Sequence, residues 1–257
     1  MNIFLCQKLP YLFDKEKNIK TIEDCLLNND ADLFIFSEQF INGYLIGDEV
    51  FRYAEDINGR SIAHLSRISE DTGKAIITGI TIEECRGVIY NSSIFIDGTN
   101  MVIQKKRNLP NFGPFSEKRY FKAGSESIVF LYKGYNIGME ICYDAFFPEL
   151  SNELAIKGAD IIVNISASPI TSRSSFEKVL PAISAANGIY TIYVNMHGYE
   201  RWAFFWGGSR VIDPKGNALL KLENIDEGIC TIDIEEVRKA RIGRPTIRDK
   251  INHIPEY

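Results

Sequence analysis

Short apolar runs alternate with amphipathic stretches along most of the chain, and each change of period marks an element. Residues 2–7 read as a strand. Residues 17–28 read as a helix with Ile19, Ile22, Leu26 and Leu27 on one face. Leu33-Phe-Ile-Phe36 is a continuous apolar run, the pattern of a strand buried on both faces. A second helical pattern covers 59–72 and closes at Gly73, a common C-cap residue. Strand 75–82 follows, and strands 89–96 and 101–104 flank the hairpin signal Asp97-Gly98-Thr99-Asn100. After an irregular stretch over 108–124, strands 127–132 and 135–141 lead into a helix ending near Lys157. The pattern then gives a strand at 160–165, a helix at 174–187 and a strand at 189–194. Residues 202–212 and 218–222 flank the Asp213–Gly216 turn, and 228–234 is the last strand. Beyond about Arg238 the pattern fades. Residues 238–257 are rich in Arg and Lys, hold two prolines and read as an arm that needs a partner surface.

This alternation predicts an α/β protein with two mixed sheets between helical layers. Neither repeats nor a linker interrupt it, so one domain is expected over 1–257. Composition agrees: 257 residues, 45% hydrophobic and 25% charged, suit a soluble domain with a sizeable core. A net charge of −5 and the lack of a long basic run argue against a nucleic-acid surface. No apolar stretch approaches the ~18–20 residues of a membrane span. The first residues lack a charged leader region and a cleavage site, and read as a strand. Cys6, Cys25, Cys85, Cys142 and Cys230 are scattered, without CxxC or ligand spacing. A reduced, cytoplasmic protein without a cysteine metal site is therefore expected.

Candidate chemistry gathers at three strand ends. Ile137, Met139 and Ile141 end a buried strand, and Asp144 and Pro148 suit the start of a helix. Cys142 is thus expected on a sharp strand-to-helix turn, beside backbone N–H groups and the positive end of a helix, which favour thiolate. The alternative is a buried structural cysteine. Glu38 lies just past strand 33–36, where α/β proteins build sites. Taken alone it reads rather as a solvated loop residue. Strand 101–104 runs into Lys105-Lys106-Arg107, which taken alone reads as a solvated rim. The aromatic-rich stretch 108–124 that follows is long for a structureless loop, and such loops are more often functional.

Together these segments resemble the nitrilase-type carbon–nitrogen hydrolases over nearly the whole chain. Phe36-Ser-Glu38-Gln-Phe-Ile-Asn-Gly-Tyr44 is similar to the family's glutamate motif. Lys106-Arg-Asn-Leu-Pro, with Phe115-Ser-Glu117-Lys-Arg-Tyr-Phe121, resembles its lysine motif and second glutamate. Gly138-Met-Glu-Ile-Cys142-Tyr-Asp-Ala-Phe-Phe-Pro148 resembles its cysteine elbow. The resemblance implies an α-β-β-α four-layer sandwich, often paired as a homodimer or higher homo-oligomer through its sheets and C-terminal tail. It implies an amidase in which Cys142 attacks the amide carbon, Glu38 is the base and Lys106 stabilises the oxyanion, with no cofactor. Glu117 would orient Lys106 or the amide. Tyr44, Phe112, Tyr143 and Phe146, in or beside these motifs, are the expected substrate contacts.

Residues 109–121 and Asn164–Arg173 look most like glutaminase domains attached to NAD synthetases, which points to Ser168 and Arg173 as head-group contacts. The chain departs from that subgroup at Tyr143, where an acidic residue is usual, and in a shorter Ser-to-Arg spacing. The expected substrate is a small linear carboxamide, glutamine-like or an ω-amide. Nitriles, N-carbamoyl amines, a Cys–His hydrolase using His197 and a non-catalytic scaffold are the alternatives.

Overall fold

The computed structural model describes residues 1–113 and 115–251. Its first half runs β1 (Asn2–Cys6), α1 (Lys15–Asn28), β2 (Leu33–Ile35), α2 (Val50–Tyr53) and α3 (Arg60–Thr72). It continues through β3 (Ala75–Cys85), β4 (Val88–Asp97), β5 (Asn100–Lys105) and the short α4 (Glu117–Tyr120). The second half runs β6 (Val129–Tyr132), β7 (Tyr135–Ile141), α5 (Pro148–Ile156), β8 (Ile161–Ser166), α6 (Arg173–Asn187) and β9 (Tyr190–Asn195). The hairpin β10 (His197–Glu200) and β11 (Ala203–Trp206), then β12 (Arg210–Ile212), β13 (Ala218–Lys221) and β14 (Glu227–Thr231), precede α7 (Ile234–Gly243) and α8 (Thr246–Ile251).

Two six-stranded sheets form, in the orders β14-β1-β2-β3-β4-β5 and β13-β12-β9-β8-β7-β6. Each has three parallel strands at its centre and antiparallel strands at its edges, so both sheets are mixed. Side chains alternate across a strand, and this sorts the core into layers. Ile3, Leu5, Leu33 and Ile35 meet Ile137, Met139, Ile141 and Val163 between the sheets. Phe4, Phe34 and Ile76 face outward onto Ile22 and Leu26 of α1 and Leu65 and Ile68 of α3. Leu154 of α5 and Phe176 and Leu180 of α6 cover the second sheet. The expected α-β-β-α architecture is the one observed.

Three local readings change. Gly207 and Gly208, at φ 63° and 67°, split the apolar run 202–212. Its first part pairs with β10, a strand the sequence pattern did not reveal. Second, Asp144 does not cap a helix. Cys142–Phe146 form a 3₁₀ turn, and α5 begins only at Pro148. Third, the basic tail is helical as far as residue 251 and docks on its own chain. Val237 is buried, Ile247 packs on the core, and Arg241 holds the Ala159 carbonyl at 2.6 Å and Asp160 at 3.1 Å. Residues 252–257 of the expected arm lie outside the described residues.

Glu140 of β7 is buried against α5, where Ser151 donates to one carboxylate oxygen at 2.7 Å and the other has no hydrogen-bond partner among the described residues. Burial pushes its pKa up to about 7. A raised carboxyl pKa contributes stability that is complete below the unfolded value and is lost as pH rises through the folded one. Glu140→Gln is therefore expected to stabilise the protein by about 1–3 kcal/mol at pH 8 and to change little at pH 4. Thermal unfolding at both pH values checks this; equal shifts at both would contradict it.

Candidate active site

Cys142, Glu38 and Lys106 each stand just past the C-terminal end of a strand, buried for β7 and β2 and at the sheet edge for β5, and the two sheets bring those ends together. Glu38 follows β2. Its turn depends on close approach to Gly79 of β3, where a Cβ would meet the Gln39 nitrogen at 2.1 Å and the Glu38 Cα at 2.7 Å. Any larger residue there would push the glutamate loop out of place. Lys106 follows β5, its N–H bonded to the Asn91 carbonyl at 2.8 Å and its own carbonyl accepting from Gly124 at 2.8 Å. Cys142 leaves β7 at φ 49°, in the left-handed region that L-residues rarely adopt, which makes the bend sharp.

The polar centre is tightly connected. Lys106 Nζ donates to Glu38 Oε1 and to Glu117 Oε1, each at 2.7 Å. Glu38 Oε1 also accepts from Asn91 Nδ2 at 2.6 Å, and its Oε2 accepts from the Ala167 N–H at 2.8 Å. Tyr44 donates its hydroxyl to Glu117 Oε1 at 2.6 Å. Glu38 and Lys106 are 0% exposed and Glu117 4%, so their charges act in a medium that screens them poorly. Neither Glu38 nor Lys106 is therefore the solvated surface residue that its sequence position alone allows.

Burial alone would lower the ammonium pKa of Lys106, but the Glu117 and Glu38 carboxylates outweigh it and hold it above its ordinary value. Glu117 is raised, first by burial and then by the Glu38 charge, with Lys106 pulling the other way. Burial, and next the Glu38 carboxylate, push the Cys142 thiol well above its ordinary value despite Lys106. This corrects the thiolate-favouring environment read from the sequence. A 3₁₀ turn, not a helix terminus, follows the cysteine, and two carboxylates face one ammonium. The group facing the cavity is therefore held as the neutral thiol.

Asp144, read as a cap, joins two motif segments. Its Oδ1 accepts from the N–H of Asn108 at 2.7 Å, and its Oδ2 from the N–H groups of Arg107 and Ile141 at 3.3 and 3.2 Å. It thus ties the cysteine bend to the backbone that follows Lys106. Glu200 of β10, also missed, accepts from the N–H groups of Tyr44 and Leu45 and fixes the segment that carries Tyr44. Gln39 orients Asn91, donating to its Oδ1 at 2.8 Å. The only sequence signal for Asp144 was its place two residues after the cysteine; Glu200 and Asn91 had none.

Cys142 opens onto a cavity of about 230 Å³ lined also by Phe112, Phe115, Tyr143, Phe146 and Ser168. Tyr44 and Glu117 border a neighbouring cavity of about 190 Å³ that shares Phe115. Arg173 lines neither. It begins α6, pairs with Glu177 at 3.1 Å and lies over the Trp206 ring at 5.6 Å. His197 lines a different cavity together with Cys25 and Glu227, so the cavity at Cys142 places no imidazole beside that thiol among the described residues. A larger cavity of about 590 Å³, lined by Lys15, Glu55 and His64, contains none of these groups.

Comparison with known proteins places the chain in a family. Residues 3–242 match the carbon–nitrogen hydrolase family. A nitrilase of Pyrococcus abyssi is 31% identical over 92% of this chain and 91% of its own. A carbon–nitrogen hydrolase superfamily protein of Xanthomonas campestris, with an arsenic adduct in its active site, superposes with a TM-score of 0.89 at 23% identity, over 100% of this chain and 98% of its own. A glutamate-to-glutamine mutant of an amidase of Nesterenkonia sp. AN1, in which acrylamide has added to the active-site cysteine, has a TM-score of 0.82 at 25% identity, over 95% of this chain and 99% of its own. Among the described residues of the present chain, no helix is long and apolar enough to cross a membrane. The chain belongs to the carbon–nitrogen hydrolase family, whose nitrilases and amidases act on amides or nitriles.

Proposed function

We propose that the chain is a cysteine-dependent amidase that cleaves a small linear carboxamide to an acid and ammonia through a thioester on Cys142. The observation that carries this reading is the Lys106 ammonium, held at 2.7 Å by each of two buried carboxylates beside a thiol that opens onto a cavity. In the first half-reaction the Cys142 sulfur attacks the amide carbon while Glu38 takes the thiol proton. Lys106 and the N–H of Tyr143 stabilise the oxyanion; one such donor is worth about 3 kcal/mol. The C–N bond breaks, the proton passes from Glu38 to the leaving nitrogen, and ammonia departs. Water then attacks the thioester, giving its proton to Glu38, and the acid leaves as the thiol re-forms. Glu117 and Tyr44 hold Lys106 in place and do not exchange protons with substrate.

The cavity also bears on the acyl group. Besides Cys142, its described lining is aromatic rings, hydroxyls and a proline, without an Arg or Lys. A carboxylate buried there would lose hydration and gain hydroxyl donors but no cationic partner. The glutamine-like reading would need Arg173 to leave Glu177, so an uncharged acyl chain is favoured over the carboxylate-bearing one. Butyramide is expected to exceed succinamate in kcat/KM by about tenfold or more. Arg173→Ala should change both by less than about threefold. A preference for succinamate that disappears in Arg173→Ala would instead establish a carboxylate clamp. Self-association, a cytoplasmic setting and one catalytic domain spanning the chain belong to the same proposal.

A further inference from the structure

The fold brings together three donors far apart in sequence and away from the active site. Cys6 ends β1 and Glu227 begins β14, and the two are directly paired across the antiparallel ladder, so their side chains share one face. That face is covered by α1, which presents Cys25. The Cys6 and Cys25 sulfurs and a Glu227 carboxylate oxygen all lie within 4.8 Å of one another. Cys25 Sγ already donates to Glu227 Oε1 at 3.3 Å, and Lys8 pairs with the same oxygen. A cavity of about 540 Å³ borders Cys25, Glu227, Lys8 and His197 and gives access from solvent.

We propose that Cys6, Cys25 and Glu227 form a structural site for one thiophilic divalent cation of the zinc type. Tetrahedral coordination with bonds of about 2.3 Å to sulfur and about 2.1 Å to oxygen needs donors roughly 3.5–3.8 Å apart. The observed spacing reaches that with side-chain shifts of about an ångström. Two thiolates, one carboxylate, a divalent ion and the Lys8 ammonium sum to zero, so the partly buried cluster carries no net charge. On binding, each thiol gives its proton to solvent as its sulfur–metal bond forms. Lys8 then acts as the outer hydrogen bond that orients the carboxylate ligand. The fourth position faces the cavity and is left for water. Packing alone accounts for two buried thiols as small apolar groups. The Lys8 pair accounts for the placing of the Glu227 carboxylate but not for two sulfurs gathered within 4.8 Å of it. An ion there would cross-link β1, α1 and β14, the elements that join the two ends of the described chain.

Cobalt(II) titration of the Cys142→Ala protein tests this without competition from the catalytic thiol. One equivalent per chain should bind with intense sulfur-to-cobalt absorption in the near ultraviolet and tetrahedral bands in the visible, and zinc should displace it. Cys25→Ser should abolish the spectrum, Glu227→Gln should weaken binding by about tenfold or more, and Cys85→Ser, at an exposed thiol, should leave it unchanged. With active-site residues intact, zinc should raise the thermal midpoint, and Cys25→Ser should remove that shift. The proposal falls if no stoichiometric spectrum develops. It falls equally if the spectrum survives Cys25→Ser or is lost in Cys85→Ser.

Discussion

Cys142→Ala is expected to lower amide turnover by about 10⁴-fold or more while the protein stays folded. No other described sulfur stands where this chemistry can use it. Cys6 and Cys25 are buried on the opposite side of the first sheet, under α1, while Cys85 and Cys230 lie near strand ends away from Lys106. The backbone should tolerate the change. Alanine would adopt the same positive φ that cysteine already bears at 49°, so no strain is added beyond what the native bend holds. Losing one buried sulfur costs about 1–2 kcal/mol. Far-ultraviolet circular dichroism and thermal unfolding should therefore stay close to wild type while ammonia release disappears.

Lys106→Met is expected to fail twice. The ammonium is the only described cation bonded to Glu38 and Glu117, both at 2.7 Å and both buried. Methionine fills a similar volume without charge, leaving two carboxylates facing each other without a counter-ion. Removing one partner of a buried ionic group typically costs about 3–5 kcal/mol, and here one of the carboxyls would retain a proton to limit the repulsion. Catalysis would lose the fixed charge at the oxyanion, worth about 10²–10³-fold. Adding Glu117→Gln to Lys106→Met separates the two effects. It removes one stranded carboxylate and should recover much of the stability, yet it cannot restore a positive charge. Recovery of stability with activity still absent is the expected result, measured by chemical denaturation and ammonia release. Recovery of both would mean that Lys106 serves the fold alone.

The sequence carried the elements that build the sheets because their signals are local. Alternation, the Asp97–Asn100 turn and Gly73 each act within a few residues. The residues that meet at the candidate site were legible because each lies beside a strand end, and the family resemblance joined segments that periodicity leaves separate. What was not legible depends on contacts between distant segments. Glu200 holds the Tyr44 and Leu45 N–H groups across more than half the chain, and nothing local to either marks the pairing. Asp144 suits a helix start by residue type. Its acceptors are instead claimed by Arg107 and Asn108, which only the packed sheets bring near. The tail read as an arm because α7 and α8 bury little of themselves. Their anchors, Val237 and Arg241, are too widely set among exposed residues to show a strong period. The thiol pKa was misread for a related reason: a turn can be recognised locally, but the two carboxylates that surround it cannot.

The central claim is that Cys142 carries the acyl group. An activated aryl ester of the acyl chain tests it most directly, because acylation then outruns hydrolysis and the intermediate accumulates. Acid quenching in the first turnover, tryptic digestion and mass spectrometry locate the label. Residues 134–157 form one tryptic peptide whose sole cysteine is Cys142. The account predicts a burst of one phenol per active chain and an acyl mass on that peptide at the cysteine, both absent in Cys142→Ala. Steady ester or amide hydrolysis without a burst and with no acyl group on Cys142, or with the label on another residue, would contradict it.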